Sequence, residues 1–207
     1  KGVLLPGHGT KVEDLAQTNW NSWYGEVVKG YRDLQKVCKK IFVIGLSMGG
    51  ALALHLAANE KIKGGIVSIC SPIFLTNKKA YLAPLAKYFI KYSVKKKKSY
   101  DNYQSFWYDR YPTGAVAELV RAVSTIKNEL KDITNPILII QSTLDKTVEP
   151  KSAQYIYDHI SSRKKSIYWL DKSGHIATLG IEREKVFSLV QQFIEDVLKE
   201  EERIDAN

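Results

Sequence analysis

The stretch "IFVIGLSMGGALALHLA", residues 41–57, constrains the possible folds of this chain more than any other. Its β-branched opening predicts a buried strand over residues 41–44, and its alanines and leucines predict a helix over residues 50–59. A glycine-flanked serine, Ser47, lies between the two elements. The chain therefore has to pass from strand to helix through one sharp bend, as in sheets that alternate strands with helices.

The same alternation continues through most of the sequence. Apolar residues at helical spacing from Trp20 to Leu34 predict a helix with one apolar face. Further strands are predicted at residues 2–6, 65–70, 137–141 and 167–170, and further helices at residues 115–130, 152–160 and 182–199. This pattern indicates an α/β fold with a mainly parallel sheet and helices on both faces.

One interval is too long for this alternation. A whole strand–helix–strand unit needs about 30 residues, whereas the chain between Cys70 and Ile137 is far longer. We therefore predict a core of residues 1–72 and 113–207, interrupted by an insertion of residues 73–112. The insertion is rich in Tyr, Phe, Trp and Lys and shows no clean strand pattern.

The composition limits the classes of function. The net charge is +9, but the basic residues are scattered apart from the run Lys95 to Lys98, so we predict no nucleic-acid partner. No apolar run reaches the ~18 residues that a membrane span needs, so we predict no stable membrane insertion. Cys38 and Cys70 form no CxxC pair, which favours small apolar roles in a reducing, cytoplasmic setting.

The residues at the bend, "GLSMG" (45–49), match the pattern G-x-S-x-G. In such a turn the serine projects above the sheet, and we expect Gly45 and Gly49 to prevent clashes between neighbouring side chains. The backbone N–H of Met48 and the positive end of the following helix both point to the space beside the Ser47 oxygen. The pattern indicates an oxygen nucleophile beside a site that favours negative charge.

A serine hydroxyl needs a base, and His175 is the best candidate. It follows the strand predicted at residues 167–170 in a glycine-bearing loop, at the sheet edge where Ser47 is expected. The other histidines are interpreted as structural residues of a turn or a helix: His8, His55 and His159. No two histidines have HxH or HExxH spacing, so we predict no metal site.

An acid is needed to orient the base, and Asp145 is the best candidate for it. It lies in the loop after the strand predicted at residues 137–141, at the same sheet edge. Glu149, further along that loop, is its nearest rival. The chain order Ser47, Asp145, His175 is the order expected when a G-x-S-x-G turn lies on top of an α/β sheet.

With these stretches the sequence resembles the α/β-hydrolase superfamily, and within it the small bacterial carboxylesterases related to monoacylglycerol lipases. The segments that carry the resemblance are "PGHGT" (6–10), "GLSMGG" (45–50), "CSP" (70–72), "LIIQSTLDKTVEP" (138–150) and "SGHIATL" (173–179). The resemblance implies that Ser47 is the nucleophile, His175 the general base and Asp145 the orienting acid. It also implies a small helical cap at residues 73–112 and a reaction without a cofactor.

The beginning of the sequence departs from this family. Family members carry a strand and a His-Gly-aromatic loop ahead of the segment with which this sequence begins. That loop supplies the second donor of the oxyanion hole, and the N–H of Met48 supplies the first. The resemblance therefore implies that the N-terminal strands and the second donor are missing upstream of Lys1.

We expect a serine carboxylesterase that hydrolyses short- to medium-chain carboxylic esters through an acyl-enzyme. Two alternatives stay open, a monoacylglycerol lipase and a catalytically silent binding protein with a basic surface. Leu82, Leu85 and Phe89 share a helical face, which would line an acyl pocket or pack the cap onto the core. Lys95 to Lys98 would attract anionic lipid or form a solvated segment, and the insertion could also form a homodimer contact.

Overall fold

The computed structural model describes residues 1–94 and 108–205, and the lysine run Lys95 to Lys98 lies outside them. The α-helices are α1 (Val12–Leu15), α2 (Trp20–Gln35), α3 (Met48–Asn59), α4 (Ala83–Ala86), α5 (Thr113–Glu129), α6 (Lys151–His159) and α7 (Arg183–Asp205). The strands are β1 (Val43–Leu46), β2 (Ile66–Ile69), β3 (Tyr92–Val94), β4 (Arg110–Pro112), β5 (Ile137–Ser142) and β6 (Lys165–Leu170). Short 3₁₀ helices span Lys78–Leu82, Leu130–Asp132 and Ala177–Leu179.

Strands β1, β2, β5 and β6 form one parallel sheet, as predicted, and their order in it is β1-β2-β5-β6. The register pairs Leu46 with Ile69, Ile69 with Ile140, and Ser142 with Leu170. The carboxyl ends of the four strands therefore lie along one edge. In α/β sheets the loops that emerge at this edge carry the functional residues.

Both faces of the sheet are buried at its two central strands, β2 and β5. On one face Val67 and Leu138 belong to an apolar cluster that includes Val186 of α7. Ile66 and Ile137 point to the opposite face because side chains alternate along a strand, and they are fully buried as well. Burial on both faces explains why these strands appear in the sequence as continuous apolar runs.

The chain divides into two compact units. One consists of Val37–Thr76 and Ile126–Asn207 and contains the parallel sheet. The other consists of Lys1–Lys36 and Asn77–Thr125 and contains α2 and the antiparallel pair of β3 and β4. Asn19 caps α2 by accepting a hydrogen bond from the N–H of Ser22 at 2.9 Å.

Two features of the fold differ from the sequence prediction. Residues 2–6, predicted as a buried strand, form no strand, and Leu4 is 71% exposed. That prediction was wrong because a strand needs a neighbour for its ladder hydrogen bonds, which an apolar run does not specify. Strands β3 and β4 occur in the insertion, where no strand was predicted. Each has only three residues, too few to show an alternating pattern.

The other predicted helices and strands are present, with ends shifted by a few residues. The strand predicted at residues 41–44 is β1, and the final helix predicted at residues 182–199 is the longer α7. No helix of the described residues is long and apolar enough to cross a lipid bilayer. The division into a core of residues 1–72 and 113–207 and a cap of residues 73–112 stays a prediction.

Candidate active site

Ser47 lies at the junction of β1 and α3, in a backbone conformation that residues with a side chain rarely adopt. Its φ is 54° and its ψ is −120°, a region that costs on the order of 1–3 kcal/mol. Hydrogen bonds on both sides hold the turn in place. The N–H of Ser47 donates to the carbonyl of Ile69 at 2.8 Å, and its carbonyl accepts from the N–H of Ala51 at 3.0 Å.

Two glycines make this turn possible, and they are not the pair expected from the sequence. A Cβ added to Gly45 would overlap the backbone of Gly49, and one added to Gly50 would overlap the hydroxyl of Ser71. A Cβ added to Gly49 would meet no neighbouring atom within 4 Å. The steric requirement therefore falls on Gly45 and Gly50, and the role predicted for Gly49 was wrong.

His175 lies in the loop after β6 and connects Ser47 with Asp145. Its Nε2 is 2.8 Å from Oγ of Ser47, and its Nδ1 is 2.7 Å from Oδ2 of Asp145. A carboxylate only accepts hydrogen bonds, so Nδ1–H donates to Asp145 and Nε2 accepts from the serine hydroxyl. The structure thus brings together the three side chains singled out in the sequence.

Both oxygens of the Asp145 carboxylate accept hydrogen bonds. Its Oδ1 accepts from the N–H groups of Thr147 and Val148 at 2.8 and 2.9 Å, and its Oδ2 also accepts from Nε2 of Gln141 at 3.2 Å. Burial alone would raise the pKa of Asp145, but the hydrogen bond and charge of His175 and the two N–H groups lower it below its ordinary value. The group therefore stays ionised at neutral pH.

Additional hydrogen bonds fix the loops that carry Asp145 and His175. The hydroxyl of Ser142, at the end of β5, donates to the carbonyl of Ser173. The hydroxyl of Ser173 and the N–H of Lys172 both donate to Oε2 of Glu182 at 2.9 Å. Sequence analysis missed these supporting residues. The only signal for them was the polar end of the apolar strand "ILIIQS", which holds Ser142.

Cys70 directly follows β2 and has a left-handed backbone conformation, with φ 47°. Burial, together with the charge of the nearby Asp145 carboxylate, raises the pKa of its thiol to about 12. Its Sγ lies within 4.8 Å of ligand atoms of Asp145 and His175, a composition found in metal sites. The thiolate is the form that binds metals, and these two side chains already bond each other, so the cluster does not fit a metal.

The alternatives considered for the base and the acid have other partners. These are the Pro6 carbonyl for His8 (3.2 Å), Glu129 for His55 (2.6 Å), the Tyr155 carbonyl for His159 (2.8 Å) and Lys151 for Glu149 (2.7 Å). Cys38, predicted to act as a small apolar residue, is exposed. The interpretation of the other histidines as structural residues fits these contacts.

A parallel sheet whose strand-to-helix bend presents a serine beside a histidine and an aspartate, in this chain order, defines the α/β hydrolases. The chain belongs to the family Hydrolase_4, described as "Serine aminopeptidase, S33", whose sequence model matches residues 5–180. The predicted α/β-hydrolase fold is thereby confirmed.

Two individual relatives show which enzymes the chain is similar to. The chain is 33% identical to a thermostable monoacylglycerol lipase of Bacillus sp. (strain H-257) over 91% of its own length and 76% of that protein. It is 28% identical to a carboxylesterase of Bacillus subtilis (strain 168), over 91% of its own length and 78% of that protein. The chain is thus similar to an esterase and to a monoacylglycerol lipase, as the sequence motifs predicted.

A solved structure agrees with these relatives. It comes from work on LipS and LipT, two metagenome-derived lipolytic enzymes, and matches with a TM-score of 0.87 at 28% identity. The match covers 93% of this chain and 80% of the other. A soluble variant of the monoglyceride lipase of Saccharomyces cerevisiae has the same fold, with a TM-score of 0.73 at 18% identity.

Proposed function

We propose that this protein is a serine carboxylesterase that hydrolyses short- to medium-chain carboxylic esters. The observation that carries the proposal is the chain of hydrogen bonds from Oγ of Ser47 through His175 to Asp145, at 2.8 and 2.7 Å. It connects a hydroxyl with a base and the base with an ionised acid, which is the arrangement that activates a serine.

The first half of the reaction forms an acyl-enzyme. Nε2 of His175 takes the proton of Ser47 while Oγ bonds to the carbonyl carbon of the ester, and the carbonyl π-electron pair moves to oxygen. The tetrahedral intermediate then collapses, the bond to the alcohol oxygen breaks, and His175 gives its proton to the leaving alcohol. Asp145 stays ionised throughout and stabilises the imidazolium.

The oxyanion lies at the N-terminus of α3. Met48 is the first residue of that helix, so its N–H has no acceptor in the helical ladder and is available to an anion. Each donor of this kind contributes about 10²–10³ in rate.

The second half of the reaction releases the acid. His175 removes a proton from a water molecule as the water oxygen attacks the acyl carbon, and then returns that proton to Oγ of Ser47 when the acyl–oxygen bond breaks. The enzyme returns to its starting state. The proposed reaction uses these side chains and water, with no metal and no organic cofactor.

The proposed location is the cytoplasm, and the proposed partner is a small-molecule ester rather than a nucleic acid. Both cysteines are free thiols, and the exposed one, Cys38, would be open to oxidation in an oxidising compartment. This supports a reducing setting.

The main alternative is a monoacylglycerol lipase. It is favoured by the 33% identity to a relative with that name. The substrates of a carboxylesterase and of a monoacylglycerol lipase differ in the length of the acyl chain and in the alcohol. Activity against a series of p-nitrophenyl esters and monoacylglycerols therefore distinguishes the two enzymes. A preference of kcat/KM for long-chain monoacylglycerols would favour the lipase.

The decisive experiment labels the protein with a fluorophosphonate, which phosphonylates an activated serine. We expect one labelled site in the wild type, and no label in Ser47→Ala, together with a fall in kcat of at least about 10⁴-fold. Ser161→Ala removes an exposed hydroxyl and serves as the matched control. A wild-type chain that remains unlabelled would favour the silent binding protein.

A further inference from the structure

Gln141 is a polar side chain within the buried strand β5. The strand lies between β2 and β6 in the sheet, and Gln141 is fully buried. Its Nε2 is 3.2 Å from Oδ2 of Asp145 and 3.2 Å from the carbonyl oxygen of Ser142. A carboxylate and a carbonyl only accept hydrogen bonds, so the NH₂ group of the amide faces them and Oε1 takes the opposite position.

The oxygen of this amide is left without a hydrogen bond. Oε1 of Gln141 is buried and has no partner within the described residues 1–94 and 108–205. A buried acceptor without a partner destabilises the folded state, and a methionine, of similar length, would not introduce one. Packing alone therefore does not explain a glutamine at this position. What the amide provides, and an apolar side chain would not, is a hydrogen-bond donor to Asp145.

This donor meets the oxygen of Asp145 that also faces the base. Oδ1 accepts from the N–H groups of Thr147 and Val148, whereas Oδ2 accepts from Nδ1–H of His175 at 2.7 Å as well as from Gln141. Hydrogen bonds to the charged form of a carboxylate stabilise that form and make it less basic. Because the two donors share Oδ2, the amide weakens the attraction of this oxygen for the proton on Nδ1.

We propose that Gln141 is a positioning residue that acts on His175 through Asp145, by fixing Oδ2 and limiting how strongly this oxygen stabilises the imidazolium. A protonated imidazole cannot accept the proton of Ser47, so the amide extends the pH range over which His175 acts as a base. This inference rests on the esterase reaction proposed above. It assigns control of the acid side of the pH profile to a residue that is hydrogen-bonded to the acid rather than to the base.

The titratable groups that the structure places against Asp145 come from two other loops. They are the imidazole of His175, after β6, and the thiol of Cys70, directly after β2. Burial, together with the charge of Asp145, raises the pKa of Cys70 to about 12. The thiol therefore stays protonated in a profile from about pH 5 to 9, and a change on the acid side reports on His175.

The experiment compares Gln141→Met with the wild type in the pH profile of kcat/KM for a p-nitrophenyl ester. We expect the acid limb to move to higher pH by about 0.5–1 unit, which lowers kcat/KM on that limb about three- to tenfold. On the plateau at higher pH we expect less than about a threefold change, since the base is neutral there in both proteins. An acid limb that does not move overturns the proposal.

Gln154→Met is the matched control. Nε2 of Gln154 donates to Oδ1 of Asp158 at 2.8 Å, so this glutamine also contacts an aspartate four positions later, but on an exposed part of α6. We expect the profile of this variant to coincide with that of the wild type. An equal movement of the acid limb in Gln154→Met would overturn the proposal.

Urea unfolding separates this role from a purely structural one. We expect Gln141→Met to be at least as stable as the wild type, because methionine leaves no buried acceptor without a partner. A variant that does not fold, or one that loses stability while its acid limb stays in place, would make Gln141 a structural residue and overturn the proposal.

An NMR titration of the His175 imidazole measures its protonation without any substrate, and His175→Gln assigns its signal. We expect the midpoint in Gln141→Met to lie at higher pH than in the wild type, and equal midpoints would overturn the proposal. A wild type that neither hydrolyses esters nor reacts with a fluorophosphonate would refute the proposed esterase function instead. The titration would still decide whether Gln141 acts on His175.

Discussion

At the residue scale, the two oxygens of Asp145 have different partners. Oδ1 is held by two backbone N–H groups of its own loop, and Oδ2 faces His175 and the amide of Gln141. The backbone contacts orient the carboxylate, so that its second oxygen points at the imidazole. In the proposed reaction Asp145 thus acts on Ser47 only through the tautomer and orientation of His175.

Asp145→Asn tests this role. The asparagine amide has nearly the same shape, but its NH₂ group facing Nδ1 would favour the wrong histidine tautomer. We expect kcat for a p-nitrophenyl ester to fall by about 10⁴-fold, with a much smaller change in KM. Asp171→Asn removes an exposed carboxylate four positions before His175 and is the control. Similar activities of both variants would contradict the assignment of the acid.

The same variant tests the lowered pKa of Asp145. A carboxyl group whose pKa is lower in the folded than in the unfolded chain adds stability above its unfolded pKa, near 3.8, and loses it as the pH falls through the folded pKa. The free energy of unfolding of the wild type should therefore exceed that of Asp145→Asn most at neutral pH. In urea titrations this difference should shrink below about pH 4. A difference that is independent of pH would refute the expectation.

At the scale of elements, the passage from β1 to α3 depends on close packing of backbone. Gly50 lies against Ser71, whose hydroxyl shares a buried hydrogen bond of 2.7 Å with Ser68. A methyl group at position 50 would displace that hydroxyl. The strand-to-helix junction is thus supported from β2 as well as from its own backbone.

Gly49→Ala and Gly50→Ala form a matched pair in one helical turn. We expect Gly50→Ala to lower the free energy of unfolding by about 1–3 kcal/mol, because it disrupts a buried hydrogen bond. Gly49→Ala adds a methyl group in open space and should be neutral or stabilising by up to about 1 kcal/mol, since alanine favours a helix. Equal effects of the two substitutions in urea unfolding would count against this explanation.

The success of the sequence prediction depended on the kind of pattern. Long helices such as α2 and buried strands such as β5 were predictable because many residues repeat one period. The prediction of a strand over residues 2–6 was wrong because a strand also needs a neighbouring strand to pair with, which the local sequence does not specify. Strands β3 and β4 are held by pairing between residues distant in sequence, such as Ser93 and Tyr111.

For the candidate site, the sequence predicted which residues meet but not what supports them. Ser47, Asp145 and His175 follow strand ends, and parallel strands end at one edge, so their convergence could be predicted. Glu182 supports the His175 loop from a position without any fixed spacing to it. Such contacts depend on loop geometry, which has no periodic signal.

At the scale of the whole molecule, the two cysteines report on folding. Cys38 is exposed, whereas Cys70 is buried with its pKa raised to about 12. The thiolate is the reactive form, so burial and protonation both protect Cys70. Its protection should last as long as the sheet unit stays folded.

Thiol titration with Ellman's reagent at pH 8 tests this state. We expect the native chain to react rapidly at one thiol, and the chain in guanidinium at two. Native Cys38→Ser is expected to show no rapid reaction, which assigns the fast thiol. Rapid reaction of native Cys38→Ser would contradict the described burial of Cys70.

Strand β2 contributes no member to the hydrogen-bonded chain of Ser47, His175 and Asp145, yet it lies between the strand that leads to Ser47 and the strand that leads to Asp145. Neighbouring strands are about 4.8 Å apart, so the nucleophile strand and the acid strand are separated by roughly 10 Å. An imidazole that reaches from one end of this gap to the other has to come from a third loop. The width of a single intervening strand thus sets the distance that the imidazole of His175 spans between the hydroxyl and the carboxylate.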